Sequence, residues 1–550
     1  MTESDPRAVI QLTGRSAAGG FAVGPIVRLD ADAGSDRVVG DAQAEKTALR
    51  GALDAASAAL AGLIGRLDDE EAAAILEFQL ALLEDEALTD PVFAAIAEGA
   101  AADWAWRVRL DDEIAGYRAA EDDYFRARAA DLEDLKGRVI VALSGGGAAI
   151  DALPDGAIVV ADDLPPSRFL EISWRQGHGI ALSAGSPTAH VAILARGRGI
   201  PMVVGLGFVP AANGEIALLD AAAGTLTLAP DRATRARFDV RREAGAVAAA
   251  RAGARVHEPA VTASGERVAV HINIGGPADL ASLDSTMCDG IGLVRTEFLF
   301  DGRTADRLPG EDEQAEAYRK ILAWAAGRPV TIRTVDAGGD KPVPGYTIEG
   351  ELNPFLGLRG VRLSLTRPEI FRVQLRALLR AATAGPLQIM VPMVSVPREM
   401  TAVRSLLMEE AAALDAVGIA RGAIGPGGVM LGMMVEVPAA ALTLDRFDTD
   451  FVSIGSNDLT QYTMAAGRDA PSVAELADAA DPAVIRLVSE VVAVAKSRGI
   501  PVSLCGDAGG DPRVIPHLLG AGLRSVSVAP AVVAAAKEAI RAWPSEHRGD

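Results

Sequence analysis

Cysteine is nearly absent from this 550-residue chain: Cys288 and Cys505 are the only two. So few exclude a disulfide framework, and no cluster of these cysteines with the six histidines has the spacing of a zinc site. A reducing cytoplasm is the expected compartment. Positive charge is also short, with 53 Lys and Arg against 74 Asp and Glu and a net charge of −21. That excludes generic nucleic-acid binding, because counterion release under a basic face supplies most of such affinity. A few buried arginines could still hold one small anion, and a protein partner steered by long-range charge would be basic. Long apolar runs are missing too. The nearest, AIGPGGVMLGMMV, is 13 residues long, is broken by Gly and Pro and is followed by Glu436, so it is too short to cross a bilayer. The opening MTESDPRAV lacks the positive segment and apolar run of a signal peptide. No membrane insertion is expected.

What is present is 49% hydrophobic and 23% charged, ordinary for globular structure. At roughly 150 residues per domain, two to four folded units are expected. Between Leu67 and Gly99 glycine and proline nearly vanish, and Leu49, Leu53, Leu60, Ile64 and Leu67 recur at helical spacing, as do Ile75, Leu76, Leu80 and Leu83. A polar link at Asp90 and Pro91 marks the start of the next helix, and about four long helices make a bundle over 31–143. Short β runs flank it: GGFAVGPIVRLD ahead, and GAIVVADDLPPS, GIALSAG, GIPMVVG and GEIALLDAAAGTLTLAP behind. They read as one α/β domain, 1–30 with 144–230, into which the bundle is inserted. An Arg- and Ala-rich stretch over 231–260 reads as a linker helix.

From Val268 onward eight apolar runs alternate with helical stretches: VAVHINI, GIGLVR, VTIRTVD, QIMVPMV, LGMMVEV, FVSIGSN, PVSLCGD and SVSVAP. Eight such units predict a (β/α)8 barrel over 261–550, whose chemistry belongs at the C-terminal strand ends. Arg295 closes the second run, Arg333 and Asp336 the third, Glu436 the fifth, Asn457 and Asp458 the sixth, and Cys505 the seventh. Guanidiniums in pairs fit a phosphorylated anion. Two hard carboxylates, Glu436 and Asp458, are the protein share expected for Mg2+. Arg359 and Arg468 lie in loops of the same face. Cys505 beside cations could give or take a proton, whereas Cys288 and His271 read as structural.

In AGSPTAHVAILARG a turn leads into His190 at a helix start, where backbone N–H groups can stabilise an anionic group on the imidazole. Such a histidine can accept a phosphoryl group, and Thr188 could hydrogen-bond its oxygens.

Together DFVSIGSNDLTQYT, DGIGLVRTEFLF, TIRTVDAGGDK, NPFLGLRG and GMMVEVP resemble, in order and over essentially the whole chain, the Enzyme I family of the phosphoenolpyruvate-dependent sugar phosphotransferase system. The helical part, with LALLEDEAL and DWAW, is similar to the family's carrier-binding subdomain. The resemblance implies a multidomain α/β protein: a swivelling phosphohistidine domain with an inserted helical bundle, then a TIM barrel. It implies that His190 is phosphorylated from phosphoenolpyruvate, that Arg295, Arg333, Asn457, Asp458, Arg468 and Arg359 bind substrate, that Glu436 and Asp458 hold Mg2+, and that Cys505 protonates the enolate. The implied partners are the histidine-containing phosphocarrier protein HPr and a second copy of the chain at the barrel. Three departures stand out. The usual Gly-Gly-x-Thr-Ser-His reads Gly185-Ser186-Pro187-Thr188-Ala189-His190, Asp-Arg-Gly reads Gly467-Arg468-Asp469, and Cys-Gly-Glu reads Cys505-Gly506-Asp507. A phosphoenolpyruvate synthase or pyruvate–phosphate dikinase would need a nucleotide-binding domain, for which no Gly-rich phosphate loop is present. A phosphoenolpyruvate-sensing paralogue without turnover would have no use for Cys505.

Overall fold

The computed structural model describes residues 9–29, 39–64, 70–119, 123–144, 153–185, 190–300 and 307–544, except 340, 342, 349, 350, 352, 468–472, 474 and 475. It divides into two compact units, Met1–Gly245 and Ala246–Asp550.

The first unit holds strands β1 (Ile10–Thr13), β2 (Arg15–Ala18), β3 (Phe21–Arg28), β4 (Ile158–Ala161), β5 (Gly179–Leu182), β6 (Met202–Val204), β7 (Ile216–Asp220) and β8 (Thr225–Leu228). They form one sheet in the order β1-β8-β7-β3-β4-β5-β6-β2. From β3 to β6 the strands run parallel, with the antiparallel β7, β8 and β1 beyond β3 and β2 on the far edge. β3 pairs directly with β4, although 129 residues separate their ends at Arg28 and Ile158. The bundle is therefore an excursion between two neighbouring strands.

Five helices make that bundle among the described residues: α1 (Ala42–Ile64), α2 (Glu70–Glu84), α3 (Glu86–Ala97), α4 (Ala102–Ala119) and α5 (Asp123–Leu143). Leu49 and Leu60, Leu76 and Leu83, Val92 and Ile96, Trp106 and Leu110, and Leu135 and Val139 meet in its core. Each such side chain stabilises the bundle by roughly 1.5–3 kcal/mol on burial. The helix count exceeds the expected four, and Pro91 does not start a helix. It lies inside α3, which begins beyond Asp85, whose carboxylate accepts from the Ala87 N–H at 2.8 Å. Proline lacks the N–H that would bond the Ala87 carbonyl. That carbonyl accepts instead from Arg109 Nη2 of α4 at 3.4 Å, so a neighbouring helix repairs the break. α1 is long and apolar enough to cross a membrane by length and composition alone, but its Leu49, Ala52, Ala56 and Leu60 stripe faces the bundle core.

Two short helices serve the sheet, α6 (Pro166–Glu171) and α7 (His190–Arg198), and α8 (Arg232–Ala254) follows β8. Asp231 starts α8 by accepting the Thr234 N–H at 2.6 Å.

In the second unit, β9 (Ala260–Val261) pairs antiparallel with β10 (Arg267–Ile274). Then come β11 (Ile291–Val294), β12 (Val330–Arg333), β13 (Leu387–Val391), β14 (Val429–Val435), β15 (Val452–Ile454), β16 (Val502–Leu504) and β17 (Ser525–Val528). Strands β10 to β17 are all parallel, and β10 pairs with both β11 and β17, which closes the barrel. All eight expected runs are barrel strands. The 13-residue apolar stretch supplies β14, and its glycines serve the barrel: a side chain at Gly432 would strike Phe451. His271 lies inside the barrel, where burial pushes its pKa down.

Candidate active site at the barrel rim

The strand ends bring together buried charge of both signs. Arg333, the last residue of β12, donates from Nη2 to Glu297 Oε1 at 3.1 Å and pairs through Nη1 with Asp336 Oδ2 at 3.2 Å. Its buried Nε has no protein partner. Glu297 Oε1 also accepts the Asp336 backbone N–H at 2.8 Å, joining the β11 and β12 loops. Burial would raise the Glu297 pKa, but Arg333 and Lys341 outweigh it and hold the carboxyl low. Asp336 is likewise held well below the usual carboxylate range, against burial, by Lys341, Arg333 and Arg359.

Arg359 is 0% exposed. Its Nε and Nη2 donate to Asp336 Oδ1 and Oδ2 at 3.2 and 3.0 Å. Its Nη1 and Nη2 donate to Asp458 Oδ1 and Oδ2 at 3.1 and 3.4 Å, and Nη1 also reaches Tyr462 Oη at 3.4 Å. A guanidinium has five N–H groups, so every donor of Arg359 is taken by protein. Phe355 packs its ring 5.9 Å from the guanidinium carbon.

Glu436 follows β14 directly and is buried. Its Oε1 accepts from the Met393 N–H at 2.6 Å. Met393 holds φ 60, a left-handed conformation that non-glycine residues adopt at a cost of about 1–3 kcal/mol and mostly at functional sites. Only glycine fits at 455, because a Cβ there would sit 2.9 Å from Glu436 Oε2. Burial first, then the Asp458 and Asp336 carboxylates, push the Glu436 pKa up to about 8. Asp458 stands in the first turn of the helix Ser456–Met464. Among the described residues no group of three or more His, Cys, Asp or Glu could hold a metal, and any divalent cation at this rim would have Glu436 and Asp458 as its protein carboxylates. That donor set fits Mg2+, which keeps water and substrate oxygens in its remaining positions. A cation would relieve the carboxylate repulsion that adds to burial in raising the Glu436 pKa.

Cys505 follows β16, buried, with its thiol 3.7 Å from the Ile454 carbonyl oxygen. Burial pushes that thiol up to about 11, against a lowering hydrogen bond from Ser453. It packs with Leu293, Met390, Met434 and Phe451 in an apolar layer of the barrel. Asn457 Nδ2 donates to Asp507 Oδ2, and its Oδ1 accepts from the Asp507 N–H, both at 3.0 Å. Arg295 keeps an exposed side chain, while its backbone N–H is fixed on the Ile274 carbonyl at 3.0 Å. Arg468 lies outside the described residues.

The structure thus gathers Arg333, Asp336, Arg359, Glu436 and Asp458 into one charged network, and Arg333, Arg295 and Glu436 are close enough to Cys505 to act on its thiol. Sequence reasoning missed Glu297, Lys341 and Tyr462. Glu297 had a signal, standing two residues past Arg295 in the same strand-end loop.

In the first unit, His190 opens α7 beyond the C-terminal end of β5, where parallel α/β sheets carry their ligand sites. Its side chain, and residues 186–189 with Thr188, lie outside the description. Val191, Ala192 and Ala195 anchor the helix in the core with Phe169 and Leu182. Ahead of the turn, Gly185 has φ 90, and its carbonyl accepts from Arg15 Nη2 at 3.3 Å.

Three family profiles match this arrangement: "PEP-utilising enzyme, N-terminal" over residues 13–128, "PEP-utilising enzyme, mobile domain" over 153–224, and "PEP-utilising enzyme, PEP-binding domain" over 249–544. The domains are those of phosphoenolpyruvate-utilising enzymes. A phosphoenolpyruvate-protein phosphotransferase of Geobacillus stearothermophilus is 37% identical over 97% of this chain and 93% of its own length. Proteins of the same name from Cupriavidus necator and Bacillus subtilis are each 37% identical, over 91% and 84% of this chain and 88% and 80% of theirs. The chain belongs to the phosphoenolpyruvate-protein phosphotransferase family.

Proposed function

We propose that this enzyme takes the phosphoryl group of phosphoenolpyruvate onto His190, releases pyruvate, and passes the group to a histidine of the small carrier HPr. The observation that carries this reading is the buried rim network in which Arg333 and Arg359 balance Asp336, Asp458 and Glu436 close to the Cys505 thiol. Arg295, Arg333, Arg468 and Asn457 bind the substrate anion, and the unpartnered Arg333 Nε supports that role. Arg359, with no donor to spare, acts by holding Asp336 and Asp458 in place rather than by touching substrate. Glu436 and Asp458 would hold Mg2+, which when bound neutralises charge on the phosphoryl oxygens.

Neutral His190 attacks phosphorus in line as the bond from phosphorus to the enol oxygen breaks. The pyruvate enolate leaves, the Cys505 thiol gives its proton to the methylene carbon, and the resulting thiolate takes a proton from solvent. A thiol raised to about 11 stays protonated at neutral pH, as an acid in this step must be. The phosphohistidine domain, 1–30 with 144–230, then carries His190 to a carrier seated on the bundle of 31–143, with 231–260 as the linker and 261–550 as the barrel. We place the enzyme in the cytoplasm as a dimer joined through its barrels. The test is a rapid-mixing measurement of pyruvate from phosphoenolpyruvate and Mg2+ without carrier. A burst of one pyruvate per chain supports the reading, and no pyruvate overturns it.

A further inference from the structure

Behind the rim runs a buried polar chain that the proposed reaction does not use. Gln374, on the helix Pro368–Ala381, is 1% exposed and makes three hydrogen bonds. Its Oε1 accepts from the Val335 N–H at 3.0 Å, and its Nε2 donates to Thr296 Oγ1 and to Tyr318 Oη, both at 3.2 Å. Thr296 Oγ1 donates onward to the Arg333 carbonyl at 2.9 Å, and Tyr318 Oη to Gln314 Oε1 at 3.2 Å. Each hydroxyl accepts once and donates once, so the chain has a single consistent polarity. Apolar side chains would fill this wall of the barrel without the desolvation penalty of an amide and two hydroxyls. Satisfied polar chains of this kind fix one geometry.

The partners say which geometry is fixed. Thr296 stands between Arg295 and Glu297, and Val335 stands between Arg333 and Asp336. Gln374 therefore grips, from behind, the two segments whose fronts carry the rim charges. On the front, Glu297 joins the same two segments through Arg333 Nη2 and the Asp336 N–H. The β11 and β12 ends are cross-linked twice, once on each face.

We propose that Gln374 is a positioning residue for phosphoenolpyruvate binding. It locks the ends of β11 and β12 in the register that aims Arg295 and the Arg333 guanidinium at the substrate anion. This rests on the reading above that these arginines bind phosphoenolpyruvate.

The experiment compares the full-length wild type with Gln374→Met, Thr296→Val and Tyr318→Phe, each checked by thermal melting, in the pyruvate-forming reaction. Gln374→Met should raise KM for phosphoenolpyruvate about tenfold with kcat within about twofold of wild type, the mark of lost binding geometry. Thr296→Val, which frees the Arg333 carbonyl, should raise KM in the same direction. Tyr318→Phe removes only the arm that leads away from the rim. It should lower the melting temperature and leave KM within about twofold of wild type. Wild-type KM in folded Gln374→Met and Thr296→Val would overturn the inference, and so would an equal rise in Tyr318→Phe, which would mark general softening. Should Gln374→Met fail to fold, the contrast between Thr296→Val and Tyr318→Phe decides the same question. A wild type that forms no pyruvate defeats the underlying reading and this inference with it. Unaffected variants beside an active wild type defeat the inference alone.

Discussion

Asp507 holds Asn457 by both ends of its amide, accepting from Nδ2 on its carboxylate and donating its own backbone N–H to Oδ1, each at 3.0 Å. The carboxylate at this position is shorter than the family's usual glutamate, yet it closes a two-point clamp that fixes the orientation of the Asn457 amide, the group proposed above to bind substrate. Asp507→Ala should lower kcat/KM about tenfold, roughly 1.4 kcal/mol, with little effect on stability because Asp507 is exposed. Asp507→Asn, whose amide oxygen can still accept, should stay close to wild type. Steady-state kinetics on both variants check the pair.

Arg359 neutralises two buried carboxylates at once. Its removal leaves Asp336 and Asp458 without that partner, and breaking a buried pair costs roughly 3–5 kcal/mol. Arg359→Met should therefore lower the melting temperature sharply as well as abolish turnover. A variant as stable as wild type would show that the contacts carry no net stability.

The barrel was legible because its strands are short apolar runs alternating with helical stretches, and the strand-end positions of Glu436, Asp458 and Cys505 were legible because each follows such a run directly or within a few residues. β1 and β2 were not, because IQLT and RSAA are short, partly exposed edge strands without a strong pattern. Pro91 misplaced a helix start, since only the fold brings Arg109 to the Ala87 carbonyl. An arginine in a loop reads as a ligand arm, and the partners that occupy Arg359, Asp336 and Asp458, are 23 and 99 residues away. Gln374 carries no signal of its own in PEIFRVQLRALLRA, and only the fold brings Thr296 and Tyr318 against it.

Glu436, pushed up to about 8 from its ordinary 4.5, is mostly protonated at neutral pH when no cation is bound. A carboxyl raised in the folded state contributes stability that is full below its unfolded pKa and is lost as pH rises through the folded value. The metal-free enzyme should thus lose stability from about pH 4.5 to 8 and regain it with Mg2+. Binding Mg2+ at pH 7 should release close to one proton, read by calorimetry in buffers of different ionisation enthalpy, and Glu436→Gln should abolish both effects. Removing the metal with a chelator should stop pyruvate formation.

The Cys505 thiol, pushed up to about 11 by burial, should remain the acid across the working pH range. Its alkylation rate should keep climbing beyond pH 9 instead of levelling near the ordinary thiol value, as a pH series with iodoacetamide would record. Cys505→Ala should slow pyruvate formation at least about a hundredfold, the usual contribution of a positioned proton donor. Phosphoenolpyruvate binding should change little.

The most direct test labels the protein with radioactive phosphoenolpyruvate and Mg2+, beside His190→Ala, and asks whether an acid-labile, base-stable label forms. The account predicts label on the wild type and none on His190→Ala, with the group passing to added HPr. No label on a wild type that binds phosphoenolpyruvate, or equal label on His190→Ala, would contradict it.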